Sequence, residues 1–376
     1  MKSFRPFVFT VLTGALLAGC CSKEKPPMPE PVLTLNPADT RFFSTDGTYT
    51  FEVTTDQDSW EARSDKEWCV VTPDYAGGAF TVGLNGAEAP AHAVVTVKAG
   101  AAAPVAIDFA RLQDFDKNTQ ISYPEQEQAY ALIVAPSSGW ENYRYQAGAY
   151  LIYKQLKDNG MDDDHIVLVS EDDIARNPNN PTPGRILPPE GDGNLYENVT
   201  VDYKPSELGL SELPDILHSK ISSNDNLFVY WAGEAAPQGP KWLGETLPAS
   251  EVVAFLVELN SRRSYRKLFF VLETDYCGAV GKAVEEEGIP GILCFAAADG
   301  ETSKGGVRTD AAGKIPLSNS FTDAFYNQAV ANKRLSLYDL YDQISRTMPY
   351  YTYIGVYNAR KFGNLYTSGI GEFLYP

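Results

Sequence analysis

Histidine is scarce in this chain: His92, His165 and His218 are the only three in 376 residues. Any chemistry that needs imidazole as a general base has those candidates and no others. Cysteine is scarce too. Cys20, Cys21, Cys69, Cys277 and Cys294 follow no regular spacing, which argues against a disulfide framework and against a Cys/His zinc site. Positive charge is outnumbered, with 31 Lys and Arg against 49 Asp and Glu, and no basic cluster offsets the formal net charge of -18. That balance argues against nucleic acid, or an anionic membrane gripped through a basic face, as a partner. No internal repeat, DxDxDG loop or phosphate-cradling glycine motif is present, so neither a metal nor a cofactor is expected.

What is present begins with a short leader. Lys2 and Arg5 precede an apolar stretch from Pro6 to Ala18, too short for an ordinary membrane span. Leu17, Ala18, Gly19 and Cys20 resemble the bacterial lipobox. The resemblance implies a lipoprotein signal peptide over residues 1–19, lipidation of Cys20 and the membrane as a partner. Cys21, rather than an acid, in the next position points to the outer membrane of the bacterial envelope. The alternative is a cleaved signal peptide with an incidental Cys. Residues 20–31, which include KEKPPMPEP, read as an extended tether.

Residues 32–113 change to short alternating runs: YTFEVTT, WCVVTP, AFTVGL, HAVVTVKAG and VAIDFARLQ. Turn residues separate them, the pattern of a small all-β, immunoglobulin-like domain. The stretch resembles the BACON module of Bacteroidetes surface proteins, with Trp60 and Trp68 at its tryptophan pair and Leu112-Gln113 at its closing strand. That resemblance implies a glycan as one partner. The plainer account is two tryptophans anchoring the core or rim of a spacer. Polar residues 114–128 read as a linker, and Cys69 and Cys294, set among apolar neighbours, read as small buried core residues.

From 129 to 376 strand and helix patterns alternate. YALIVAP at 130–136, HIVLVSE at 165–171, NLFVYWAG at 226–233, KLFFVLET at 267–274 and the run 291–296 read as strands. Helices are expected over 143–159, 249–260, 279–287, 319–331 and 335–347. This predicts an α/β domain whose mostly parallel sheet is covered on both faces. Two of the strands stop at acids, Glu234 and Asp275. Strand carboxyl ends are where an open parallel sheet carries its chemistry. Paired carboxylates can do acid–base work or bind a hard cation, while polar replacements at a solvated strand end account for them equally simply.

YALIVAPSSGWENYRYQAGAYLIYKQLKDNGM, EDDIARNPNNPTPGRI and NVTVDY resemble the legumain (asparaginyl endopeptidase) family of caspase-fold cysteine peptidases. The likeness is dense over 130–203 and 225–278 and thins beyond Gly300. It implies a caspase-like three-layer sandwich, a peptide or protein ligand in the cleft, and a His and a Cys ending neighbouring strands. In register with the family's HGA stand Glu234, Ala235 and Ala236; in register with its EAC stand Glu273, Thr274 and Asp275. General base, oxyanion glycine and nucleophile are all replaced, which implies a pseudopeptidase that binds without cutting. Arg144 and Glu273 match the family's primary specificity pocket, whose third residue, an acid there, falls near Asn319. An Arg144–Glu273 ion pair neutralising the sheet edge is the alternative. Cys277, two residues past Asp275 and near the top of the same strand, is the alternative nucleophile of an active endopeptidase. A slip of that size moves a thiol by roughly 6–7 Å at strand rise. Of its possible bases, His92 belongs to the sandwich, His165 opens a strand at the opposite sheet edge, and His218 precedes Asp225 in a helix or loop.

Overall fold

The computed structural model describes residues 29–43, 47–86, 91–298, 306–348 and 352–376. The leader, Cys20, Cys21 and most of the tether lie outside the described residues.

The N-terminal part consists of β1 (Leu33–Asn36), β2 (Arg41–Phe43), β3 (Gly47–Thr55), β4 (Trp60–Ser64), β5 (Cys69–Asp74), β6 (Ala79–Leu84), β7 (Ala91–Ala99) and β8 (Val105–Arg111). They build two four-stranded sheets, ordered β1-β3-β6-β5 and β2-β8-β7-β4. Alternation along β6 and β7 turns every second side chain inward, so Phe51, Phe80, Val82, Val95 and Phe109 meet in a shared core. Cys69 is buried there. Trp60 and Trp68 are half-buried at its rim, and Trp60 leans on Tyr75, with ring centroids 5.0 Å apart.

The second part runs β9 (Ala129–Ala135), α1 (Tyr143–Asp158), β10 (Ile166–Ser170), α2 (Leu213–His218) and β11 (Asn226–Ala232). A small antiparallel unit follows, β12 (Ala235–Ala236), β13 (Gly239–Trp242) and β14 (Glu245–Thr246). Then come α3 (Ala249–Ser261), β15 (Lys267–Glu273), α4 (Gly278–Glu287), β16 (Ile292–Ala296), β17 (Val307–Thr309) and β18 (Pro316–Asn319). The chain closes with α5 (Ser320–Ala331), α6 (Leu337–Thr347), β19 (Gly355–Tyr357), α7 (Ala359–Phe362) and α8 (Gly371–Leu374).

The central sheet has the order β10-β9-β11-β15-β16-β19, parallel throughout except for β19. Every residue of β11 and β15 is buried, as continuous apolar runs require when helices cover both faces. The right-handed rule for parallel crossovers puts α1, which leads leftward from β9 to β10, on one face and α2, α3 and α4, which lead rightward, on the other, and α3 packs against both α2 and α4 while α1 packs against α5. This is the mixed α/β, caspase-like layering expected from the sequence. The direction of strand succession reverses beside β9 and β11, so a cleft belongs at their carboxyl ends.

Residues 114–128, read from their polarity as a linker, form neither helix nor strand but are docked along the second part. Just before them, the Gln113 amide donates to the Tyr341 hydroxyl at 2.9 Å; Tyr123 and Gln126 donate to the carbonyls of Phe362 and Glu372 at 3.1 and 3.0 Å. The two parts also meet directly. Arg41 donates to the carbonyls of Arg346 and Met348, at 3.0 and 2.9 Å, while its Nε lies 3.4 Å from Asp108, whose carboxylate also meets Nε2 of buried His92.

Candidate functional site

Parallel pairing fixes the site. Ala232 of β11 is in register with Glu273 of β15, and the Gly233 amide donates to the Glu273 carbonyl at 3.2 Å. Glu234 and Asp275 therefore follow as neighbours just beyond the strand ends. The loop after β9 comes to meet them. Ser137, buried, accepts the Glu234 amide at 2.9 Å, and Asn142 Nδ2 donates to the Glu234 carboxylate at 3.0 Å. Lys241 Nζ on β13 approaches the other carboxylate oxygen at 3.9 Å. The loop is itself fixed from below, since Asp173 accepts from the Gly139 amide at 2.7 Å and from Gln146 at 2.6 Å.

Beside these acids lies a cavity of about 220 Å³ whose lining includes Arg144, Tyr145, Glu273, Asp275, Asn319 and Met348. The three residues matched to a specificity pocket are thus brought together around one space. No ion pair among the described residues joins Arg144 to Glu273, so the simple charge-neutralising alternative is not what the geometry adopts. Arg144 instead lays its guanidinium over the Tyr145 ring, 4.3 Å from the centroid, and donates to the Tyr145 hydroxyl at 2.8 Å. Its Nε is buried without a hydrogen-bond partner.

Glu273 is buried, and burial pushes its carboxyl up to about 7, partly offset by hydrogen bonds. Tyr230 donates to it at 2.8 Å, the Thr322 amide approaches at 3.4 Å, and the Asn319 side chain also reaches it. Tyr230 and Thr322 share a further hydrogen bond of 2.6 Å. Gly148 of α1 keeps this corner open, because a Cβ there would stand only 3.0 Å from the Tyr230 hydroxyl. One turn beyond Asn319, Asp323 is buried and paired with Arg308 at 3.2 Å. Sequence reading missed Tyr230, Thr322, Tyr145 and Met348. Tyr230 is hidden inside the apolar run of β11, where its hydroxyl is the one signal that sets it apart from its apolar neighbours.

Cys277 requires a correction. It does not sit near the top of β15. The strand ends at Glu273, and Tyr276, at φ 57°, turns the chain so that Cys277 becomes the residue preceding α4. Its thiol is buried at 1% exposure, accepting from the Ala298 amide at 3.2 Å, and burial pushes it up to about 12. Such a thiol is protonated at neutral pH. The histidines are elsewhere. His165 immediately precedes β10 and packs at a tilt against Tyr130, and His218, exposed at the end of α2, faces Ser264; both lie at the amino edge of the sheet, opposite Glu234 and Asp275. Cys294 is buried within β16.

With this geometry established, comparison with known proteins gives the class. A model of the Peptidase C13 family matches residues 129–364, and the chain belongs to that family. Among curated relatives, the hemoglobinase of Schistosoma mansoni is 30% identical over 160 residues, covering 40% of this chain and 37% of its own length. Human legumain is 27% identical over 165 residues, covering 40% and 38% respectively. The Arabidopsis thaliana vacuolar-processing enzyme beta-isozyme is 25% identical over 261 residues, covering 62% of this chain and 53% of its own. The chain thus spans about half or less of the length of these relatives.

Proposed function

We propose that this chain is a non-cleaving member of the Peptidase C13 family that holds a peptide or protein segment in the cleft at the carboxyl edge of its sheet. The observation that carries this reading is the pair of residues at adjacent strand ends, Glu234 and Asp275, where the resemblance calls for His and Cys. A carboxylate at Asp275 cannot form a thioester, and Glu234 is a far weaker base than imidazole. Glu234 is also engaged by Asn142 and approached by Lys241. The nearest thiol, Cys277, is buried and bonded to backbone.

The cavity retains a means of recognition. Arg144, Glu273 and Asn319 line it together, supplying a guanidinium, a carboxyl and an amide. Donors and an acceptor converging on one small space suit a carboxamide such as an asparagine side chain. Calorimetric titration of the purified protein with a blocked Ala-Ala-Asn-Ala peptide tests this. Saturable binding, weakened roughly tenfold or more by Arg144→Ala and by replacing the peptide's Asn with Leu, is expected. Binding indifferent to both changes contradicts the reading.

We further propose attachment to the bacterial envelope through Cys20, supported by the small residues that precede it after a short apolar stretch. Metabolic labelling with a fatty-acid analogue should be lost in Cys20→Ala. For the N-terminal sandwich a glycan ligand is proposed, supported by the Trp60–Tyr75 pair, in which Tyr75 is 62% exposed. Retention on immobilised mucin, lost in Tyr75→Ala, is the corresponding outcome.

A further inference from the structure

Strand β13 sends successive side chains to opposite faces. Lys241 approaches Glu234, whereas the next residue, Trp242, lines a separate groove of about 420 Å³. Its apolar wall is Leu210, Pro214, Trp242, Leu247 and Phe255, contributed by the approach to α2, the β13–β14 hairpin and α3. The volume falls within the range of ligand pockets, roughly 300–1,000 Å³. The wall is preformed: the Trp242 indole packs edge-on against buried Trp231 at 5.8 Å and donates to the Pro205 carbonyl at 3.1 Å.

Carboxylates from α3 and the hairpin border this trough. Glu245, Glu251 and Glu258 all line it and are exposed. Glu258 is partnered by Arg262, with Nε–Oε1 at 2.6 Å, but the carboxylates of Glu245 and Glu251 make no ion pair or hydrogen bond among the described residues. An apolar trough between uncompensated carboxylates matches an apolar side chain with cationic neighbours. Burial then supplies affinity, and the charges supply orientation and fast association.

We propose that this groove is a second peptide-binding site, independent of the cleft, for a segment of another protein in which one or two large apolar residues are flanked by Lys or Arg. The test is fluorescence anisotropy of the full chain with labelled Lys-Lys-Leu-Phe-Lys-Lys. Saturable binding is expected, weakened roughly tenfold or more by Ala254→Arg and by Glu251→Lys. Both substitutions are at exposed positions of α3, and unchanged thermal unfolding confirms that each variant is folded. Lys-Lys-Ser-Ser-Lys-Lys and Glu-Glu-Leu-Phe-Glu-Glu should each bind roughly tenfold more weakly than the first peptide, and Arg144→Ala should change nothing. The proposal is overturned by absent binding, by equal binding of the serine peptide, by indifference to Ala254→Arg, or by sensitivity to Arg144→Ala. Concentration-dependent dimerisation abolished by Ala254→Arg would overturn it equally, since the groove would then hold a second copy of the chain.

Discussion

Glu273 shows how much one position in this cleft depends on its surroundings. Burial raises its carboxyl from an ordinary 4.5 to about 7. The folded state therefore holds the proton more tightly than the unfolded state. The stabilisation tied to that proton is fully present below about pH 4.5 and is lost as pH rises through about 7. At 1.36 kcal/mol per unit, the swing is about 3 kcal/mol. Glu273→Gln removes the ionisation, so thermal unfolding should match wild type at about pH 4 and exceed it by several degrees at about pH 8. Tyr230→Phe deletes the hydroxyl that donates to Glu273, leaving a buried acceptor under-satisfied. A loss of about 1–3 kcal/mol in urea unfolding is expected, with the Glu273 pKa rising further. Glu234 and Asp275 could be located from the sequence as acids following two apolar strands, whereas Arg144, Glu273 and the neighbourhood of Asn319 are reached only through the family resemblance. Tyr230 and Thr322 could not be located, since strands buried on both faces show no alternation to reveal which side chain reaches a site.

The longest elements were the most legible, for a physical reason: β11, β15 and α3 each present several turns or pleats of consistent burial. The β12–β14 unit went unseen because strands of two to four residues carry almost no periodicity. It nonetheless meets Glu234 through Lys241 and lines the second groove through Trp242, and Gly239 is its weak point. A Cβ there would fall 2.1 Å from the Leu247 carbonyl oxygen. Gly239→Ala must displace backbone and should cost about 1–3 kcal/mol or more while releasing Lys241 from Glu234, which chemical denaturation and peptide titration would detect. The turn between β15 and α4 was also misjudged, because nothing in the local sequence marks the left-handed conformation of Tyr276. Its consequence can be checked chemically. Cys69, Cys277 and Cys294 are free and buried, so Ellman's reagent should label none of them in native protein and all of them after denaturation.

At the scale of the molecule, charge marks an acidic protein and the change of pattern after residue 113 marks two parts, but neither says how the parts are joined. A polar segment such as 114–128 looks like a linker when its hydrogen-bond partners lie hundreds of residues away, as with Gln126 and Glu372. Arg41 makes the second connection, binding carbonyls at the end of α6, where Met348 also borders the cleft. Arg41→Ala should weaken this junction by about 1.5–3 kcal/mol, seen in calorimetry as separation of unfolding into two steps.

The central claim, that the C13 cleft binds without cutting, is tested most directly by mass spectrometry of asparaginyl peptides incubated with wild type and Cys277→Ala. The account predicts intact peptide with both proteins, at acidic and neutral pH alike. Cleavage after asparagine by wild type that disappears in Cys277→Ala would contradict it.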